Sequence, residues 1–395
     1  MNTVVVIPTY WGRESHVGWK EGDAIYDHPT PLDKEGTLAR AIDSIKILND
    51  KDFTLVVIAA ATAEDIEKKV EEKVSSILKG MNPGVDVVFF SHSHLERIKA
   101  ELKKKGKEDL VDVLSLRGYS NIRNLCLFVP HLLGAEEVVL IDDDEVFEDP
   151  DFIKKAREFI GTEFKGEKIL AVAGYYIQPD GGYLLHKDFE PWMVYWNNLE
   201  KMNEAFEKFI GKGERLKETP FVFGGNAIIH RDLFVKIPFD PGITRGEDID
   251  YLINARMFGI KFYLDNQLFI RHLPPPKPYP TWMKMRVDIY RFVYEREKLR
   301  TQEPIKGMRK VTVEELDPYP GVFLRDDLEE KVYRASELLA IQYMAEGKPE
   351  DALESLKNIE IAKIQARPLH NPFRSYLSFQ QKWESLMTLG SGLHI

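Results

Sequence analysis

Four consecutive carboxylates, Asp142, Asp143, Asp144 and Glu145, directly follow the aliphatic run VVLI. Such a run predicts a buried strand, and like charges at its end repel one another unless a cation or hydrogen-bond donors neutralise them. Because side chains alternate along a strand, we expect Asp142 and Asp144 to share a face. Two carboxylates on one face suit Mg²⁺ or Mn²⁺ as ligands. The alternative is an acidic loop in solvent.

A second pair of acids, Glu247 and Asp248, begins the segment EDIDYLINARM, in which apolar residues recur at helical spacing. The segment therefore predicts an amphipathic helix with both acids in its first turn. Carboxylates at that position complement the helix dipole, so the pair by itself indicates capping.

The composition excludes several classes of function. A net charge of -10 over 395 residues argues against general binding to nucleic acid or to anionic membranes. No apolar run approaches the ~20 residues that span a bilayer, and the first residues predict a strand rather than a signal peptide. The single cysteine, Cys126, cannot form an internal disulfide, which favours a cytoplasmic location.

Strand-like and helix-like segments alternate through the first two-thirds of the chain. Predicted strands include TVVVIP, FTLVVIAAA, VDVVFF, VVLIDDD, ILAVAGYYI, FVFGGNAIIH and IKFYLDNQLFIRH. Continuous apolar strands between amphipathic helices predict an α/β fold with a mostly parallel sheet flanked by helices. Ligands of such sheets bind beyond the carboxyl ends of the strands, where Asp142 to Asp144 lie.

The character of the chain changes at Leu273, where LPPPKPYP predicts an extended linker. Long helical patterns follow. We therefore predict two units, residues 1–272 and residues 273–395, the second comprising the linker and a C-terminal helical subdomain. Arg286 and Arg291, on the first of these helices, are interpreted as solvated charges, with contact to a diphosphate as the alternative.

Five segments between Thr3 and His272 occur in the order found in one family: VVVIPTYWGR, SNIRN, the acidic strand, FGGNAIIHRDLF and RGEDIDYLINARMFGIKFYLDNQLFIRH. The chain resembles nucleotide-sugar glycosyltransferases of the GT-A fold, as a distant member of the family-2 type. The resemblance implies a Rossmann-like sheet, a Mn²⁺ or Mg²⁺ cofactor, a nucleoside diphosphate sugar as donor and a hydroxyl-bearing acceptor, either a small molecule or a glycan. From the net charge and the absence of a long apolar run we expect no nucleic-acid partner and no integral membrane contact; a homo-oligomer is left open.

The resemblance also implies roles for individual residues. Asp248 is the expected base that takes the proton of the acceptor hydroxyl, with Glu247 orienting the acceptor or a loop. The expected metal ligands are Asp144, Asp142 and His272. The expected donor contacts are Pro8, Thr9, Tyr10, Arg123, Asn124, Asp142 and Asp143, and the expected acceptor contacts are Gly224, Gly225, Asn226 and Trp196. For Trp196 and Tyr10, packing in the core is the alternative, and Arg123 is expected to face phosphate or to pair with Asp142.

Two departures from the family pattern limit what the resemblance implies. Ala59, Ala60 and Ala61 occupy the position where an aspartate usually contacts the base, so the base of the donor stays open. The loop after the first strand is long for this kind of connection and is interpreted as a lid over the donor. Inverting transfer is the leading hypothesis; a retaining transferase that makes a small sugar-based solute and a sugar-phosphate nucleotidyltransferase are the alternatives.

Overall fold

The computed structural model describes residues 2–276, 279–390 and 392–393. The strands are β1 (Thr3–Gly12), β2 (Thr30–Pro31), β3 (Thr54–Ala61), β4 (Asp86–Phe90), β5 (Glu137–Leu140), β6 (Glu145–Val146), β7 (Glu163–Phe164), β8 (Glu167–Lys168), β9 (Ala171–Ile177), β10 (Leu216–Glu218), β11 (Ala227–His230) and β12 (Tyr263–His272). The helices are α1 (Leu38–Ser44), α2 (Glu67–Lys79), α3 (His92–Lys104), α4 (Tyr119–Leu132), α5 (Phe152–Phe159), α6 (Asn198–Phe209), α7 (Arg231–Phe234), α8 (Glu247–Met257), α9 (Thr281–Arg300), α10 (Leu328–Ala345), α11 (Pro349–Glu360) and α12 (Pro372–Gly390).

One sheet holds all strands except the small hairpin of β7 and β8. Its order is β10-β12-β9-β11-β5-β1-β3-β4, with β2 beside β1 and β6 beside β12. The four strands β5, β1, β3 and β4 are parallel, and β12 is parallel to β9. The strand β11 runs antiparallel between β5 and β9. The predicted α/β fold with a mostly parallel sheet and a C-terminal helical region is therefore confirmed.

The sequence prediction was wrong for the strand FVFGGNAIIH, because only Ala227–His230 are extended and paired. Residues 219–226 form a buried loop instead. Two adjacent glycines supply no side chain to pack on a sheet, and this loop turns at that pair. The loop consequently crosses the carboxyl end of β5 rather than continuing its ladder.

The C-terminal helices pack on the same core as the sheet. The larger hydrophobic cluster joins Val4 and Val6 of β1 to Phe292 of α9 and Trp383 of α12. The Trp383 indole Nε1 donates to the Phe234 carbonyl at 2.9 Å. The first residues of the predicted linker are not part of a helix or strand, and Lys277 and Pro278 lie outside the described residues. None of the described helices combines the length and apolar character needed to cross a membrane.

Candidate active site

The acidic strand end, which comprises the four acids from Asp142 to Glu145 that follow β5, lies beside the end of β1. The two ends are close because β1 and β5 are parallel neighbours. The Thr9 hydroxyl donates to Asp143 Oδ2 at 2.6 Å, and the Trp11 indole Nε1 donates to Thr9 Oγ1 at 2.9 Å. Burial, and then the charge of Asp144, raise the pKa of Asp143 to about 8. The raised pKa favours the neutral form of Asp143, and the carboxyl group is hydrogen-bonded within the fold.

Asp144 faces His272, the last residue of β12. The pairing of β6 with β12 places Glu145 opposite His272, and His272 Nε2 lies 3.4 Å from Asp144 Oδ2. The His272 ring stacks on Tyr176 with ring centroids 4.9 Å apart. Burial raises the pKa of Asp144, but the hydrogen bond and charge of His272 outweigh that effect and bring it below its ordinary value. Asp144 is therefore an ionised carboxylate beside an imidazole.

Asp142 is bound by Arg123 of α4, which confirms one of the two contacts expected for that arginine. Arg123 Nη2 lies 2.8 Å from Asp142 Oδ1, and Arg123 Nε donates to Glu247 Oε1 at 3.2 Å. The arginine is only 3% exposed. Burial raises the pKa of Asp142, and the charge of Arg123 opposes that rise. One buried cation thus joins the acidic strand end to the start of α8.

Asp248 is a half-buried residue at the start of α8. Its Oδ2 accepts a hydrogen bond from the Gly224 amide at 3.1 Å, and its Oδ1 accepts one from the Ile249 amide at 2.8 Å. Burial, and then the charge of Glu247, raise the pKa of Asp248 to about 6, while Arg291 acts in the opposite direction. A carboxylate with a pKa close to neutral can exchange a proton with a substrate hydroxyl at physiological pH.

The two loop glycines allow the loop to approach the acidic side chains closely. A Cβ on Gly225 would lie 2.1 Å from Glu145 Oε1, and one on Gly224 would lie 2.9 Å from Arg123 Nη2. The Gly225 amide donates to Tyr176 Oη at 2.8 Å. Burial raises the pKa of Glu145 well above its ordinary value, and the charge of Asp142 adds to the effect. Neither glycine position has room for a side chain in this packing.

Two predicted contacts, Asn124 and Asn226, use their side chains within the fold. Asn124 donates to the Phe239 carbonyl at 2.9 Å and accepts from the Phe239 amide at 2.8 Å. Asn226 donates to the carbonyls of Tyr175 and Leu268 at 3.0 and 3.2 Å. These contacts favour a structural role for both amides, and their binding of donor or acceptor stays a prediction.

The aromatic residues predicted to bind ligand are largely enclosed. Trp196 is 2% exposed and packs against Phe292 and Phe323. The Tyr10 ring lies between Tyr26 and Tyr119, with ring centroids 4.7 and 5.3 Å away. Pro8, in the same strand as Tyr10, is buried as well. The contacts of both aromatic rings therefore favour the alternative of core packing, and the ligand roles of all three residues stay predictions.

Sequence reasoning missed His28 and was wrong about the surroundings of Arg291. His28, in the long loop after β1, contributes a favourable charge to Asp144 and helps to lower its pKa. Arg291 of α9 is buried against the start of α8, although it was interpreted as a solvated charge. Neither residue belongs to a motif, and their contacts join segments far apart in the chain. Within the long loop after β1, which the sequence analysis interprets as a lid, Asp23 forms an ion pair with Arg13.

The possible metal ligands are limited in number. Across residues 2–276, 279–390 and 392–393, no three or more His, Cys, Asp or Glu side chains are grouped so that they could hold a metal ion. The separation of Asp144 and His272 nevertheless suits two ligands of one ion, since ligands at about 2.1 Å from a metal lie roughly 3.0–3.5 Å apart. A surface cavity of about 470 Å³ lies at the opposite edge of the sheet, around Thr3, Thr54 and Asp86.

No protein-family model and no curated protein matches the chain. Among solved structures, the chain is similar to a mannosyltransferase from Pyrobaculum calidifontis in complex with GDP-Man and Mn²⁺, with 14% identity and a TM-score of 0.46. That match covers 98% of this chain and 86% of the other.

Two further solved structures are similar over about three-quarters of the chain. A mycobacterial protein has 16% identity and a TM-score of 0.37, with 74% of each chain covered. GalNAc-T7 with UDP, GalNAc and Mn²⁺ has 13% identity and a TM-score of 0.37, with 75% of this chain and 51% of the other covered.

Proposed function

We propose that the protein is a glycosyltransferase of the GT-A type, which moves a sugar from a nucleoside diphosphate donor to a hydroxyl acceptor. One observation carries the proposal: Arg123 joins the acidic strand end to the start of α8, so that Asp142 and Glu247 bind the same buried guanidinium. Two acidic segments more than a hundred positions apart thereby converge at the carboxyl edge of a parallel sheet, where α/β proteins bind their ligands.

The donor end of the site is assigned to Asp144 and His272. Their separation fits two ligands of Mn²⁺ or Mg²⁺, and such ions take further ligands from water and phosphate oxygens. A bound cation would shield the charge of the diphosphate and make it a better leaving group. Asp142, expected as a third ligand, is paired with Arg123, so we assign it to positioning and to donor contact.

The acceptor end is assigned to Asp248. Hydrogen bonds from the Gly224 and Ile249 amides hold its carboxylate in one orientation, and the residue is half-buried rather than enclosed in the core. A carboxylate held in this way can accept the proton of an acceptor hydroxyl as the new glycosidic bond forms, which is the expected course of inverting transfer. Glu247 binds Arg123 and so holds the start of the helix against α4.

The first experiment is a thermal-shift screen of nucleoside diphosphates with Mn²⁺, repeated with a chelator. We expect at least one nucleotide to raise the melting temperature in the presence of Mn²⁺ and to lose that effect when the chelator is added. The matching nucleotide sugars are then incubated with candidate small molecules and glycans, and product is detected by mass spectrometry. Absence of any stabilising nucleotide, with or without metal, contradicts the proposal.

Two further readouts separate the alternatives. Proton NMR of the first product gives the anomeric configuration: inversion supports Asp248 as base, whereas retention assigns Asp248 to substrate contact and favours a retaining transferase. Release of pyrophosphate from a nucleoside triphosphate and a sugar phosphate would instead identify a nucleotidyltransferase. A cytoplasmic location, and assembly into a homo-oligomer, stay predictions that cell fractionation and light scattering test.

A further inference from the structure

Helix α9 places the guanidinium of Arg291 against Gly246, the residue directly before α8. Gly246 has a φ of +70°, a conformation that favours glycine, and a Cβ at this position would lie 2.2 Å from Arg291 Cζ. The missing side chain of Gly246 thus creates the space that the arginine fills. Because Gly246 directly precedes Glu247 and Asp248, the C-terminal helical region contacts the candidate active site at its acidic end.

Arg291 forms its hydrogen bonds with two residues of the C-terminal region. Arg291 is 5% exposed, its Nε donates to Glu295 Oε1 at 3.1 Å, and its Nη1 donates to Tyr319 Oη at 3.3 Å. The guanidinium also lies over the rings of Phe292 and Tyr319. Within the described residues, its buried Nη2 has no hydrogen-bond partner.

The positive charge of Arg291 acts on the pKa of Asp248 in the opposite direction to burial and Glu247. Burial and the charge of Glu247 raise the pKa of Asp248, and the charge of Arg291 comes first among the influences that lower it, ahead of Arg123. The groups that interact electrostatically with Arg291 are Glu295, Tyr319, Asp248 and Asp288. Of these, Glu295 competes for the guanidinium, although burial raises its own pKa to about 7.

We propose that Arg291 is a positioning residue, which packs against Gly246, supports the start of α8 and brings a buried positive charge to the helix end that carries Asp248. Its part in the transfer reaction rests on the function proposed above, whereas its effect on the charge of Asp248 does not. Since Arg291 belongs to α9, the C-terminal helical region is then part of the catalytic unit rather than an appended module.

The test is a carbon-13 NMR titration of the Asp248 carboxyl group in the full-length protein, assigned by comparison with Asp248→Asn. In Arg291→Gln we expect the titration midpoint to move upward by about one pH unit or more, since an opposite charge nearby typically shifts a carboxyl by one to three units. Arg291→Lys keeps the charge and is expected to leave the midpoint nearly in place. An unchanged midpoint in Arg291→Gln overturns the inference.

Arg286→Gln is the matched control on the same helix. Arg286 donates to Asn358 Oδ1 and to the Glu354 carbonyl, each at 2.8 Å, and these contacts belong to α11. We expect this variant to titrate like the unmodified protein. If Arg291→Gln does not fold, Arg291→Met, which also removes the charge but keeps a long side chain in the space beside Gly246, takes its place; an unchanged midpoint in that variant overturns the inference.

Activity provides a second readout once a donor is known. In Arg291→Gln the acid limb of the kcat profile is expected to move upward with the NMR midpoint, while the KM for the donor stays within about twofold, because the base titrates and the donor end does not change. If the unmodified protein transfers no sugar, the proposed function fails, and the NMR titration still decides whether Arg291 controls the charge of Asp248.

Discussion

Four aspartates of the candidate site have the same side chain, but their surroundings give them different pKa values: Asp142, Asp143, Asp144 and Asp248. Asp142 is paired with a buried arginine, and burial raises the pKa of Asp143 to about 8. His272 keeps Asp144 ionised, while the pKa of Asp248 is about 6. Burial raises the pKa of all four carboxyl groups. The differences between their pKa values therefore come from the charged partner nearest to each. This separation is what an enzyme needs in order to use one carboxylate for a cation and another for a proton.

The assignment of Asp144 predicts the effect of its removal on donor binding. Asp144→Asn is expected to weaken Mn²⁺-dependent binding of a nucleoside diphosphate by more than about tenfold, because a hydrogen-bonded or metal-bound charge typically contributes more than about 1.4 kcal/mol. Calorimetry with and without chelator measures the change. Asp151→Asn, at an exposed acid of the same segment, is the control and should bind normally. Equal binding by Asp144→Asn would remove the metal role.

The assignment of Asp248 predicts a pH profile. A base acts when deprotonated, so with a pKa of about 6 the kcat of the unmodified protein should rise with pH through about 6 and level off above it. Asp248→Asn is expected to reduce kcat by about 10²–10⁴-fold and to lose the acid limb, while donor binding is nearly unchanged. Kinetics and calorimetry at several pH values check both effects; a parallel loss of donor binding would indicate a structural role.

At the scale of elements, the loop of residues 219–226 decides how close α8 approaches the sheet. The Gly224 amide donates to Asp248, and Gly225 packs directly on Glu145. Had the segment continued as a strand, as its apolar residues suggested, neither contact would form. The two glycines therefore matter for packing among protein groups, in addition to any close approach of a ligand.

Gly225→Ala tests this packing through stability. The added methyl group would overlap Glu145 Oε1, and overpacking in a buried site typically costs about 1–3 kcal/mol of the free energy of unfolding. Gly80→Ala is the control, because a Cβ there meets its nearest atom at 3.6 Å, and it should be neutral or slightly stabilising. Urea denaturation gives both values; equal stability of the two variants would show that the loop relaxes freely.

At the scale of the whole molecule, a buried charge cluster connects α9 to α8. Lys298 is fully buried, and its Nζ lies 2.6 Å from both Asp240 Oδ2 and Asp250 Oδ1. Asn254 accepts a further hydrogen bond from the same ammonium at 3.2 Å. Together with the shared hydrophobic core, this cluster makes the C-terminal helices part of one folded body with the sheet.

Lys298→Met should destabilise the protein by about 3–5 kcal/mol, because it leaves two buried carboxylates without their cation. Burial raises the pKa of Asp250 even against the charge of Lys298, and loss of that charge would raise it further. A carboxyl group whose pKa is raised in the folded state destabilises that state above the unfolded pKa, so the loss of stability should shrink as the pH falls through the raised pKa. Thermal unfolding at several pH values measures this loss of stability. Lys357→Met, at an exposed lysine, is the control.

The sequence determined the α/β fold class, the mostly parallel sheet and the helical C-terminal region, because hydrophobic periodicity is a local property of the chain. It also identified the acidic strand end and the Glu247–Asp248 helix start as chemically unusual segments. The prediction of a strand was wrong for the loop that carries Gly224 and Gly225, because the apolar residues of this segment resemble those of a buried strand.

Only the tertiary structure decided which charges meet. That Arg123 binds both Asp142 and Glu247, that His272 faces Asp144 and that Arg291 lies beside Gly246 are contacts across long stretches of chain. Nothing in the local pattern encodes them, because electrostatic interactions depend on distance in space and on burial, both of which arise when the elements pack. The sequence thus determined which groups are present, and packing determined their partners and their charge.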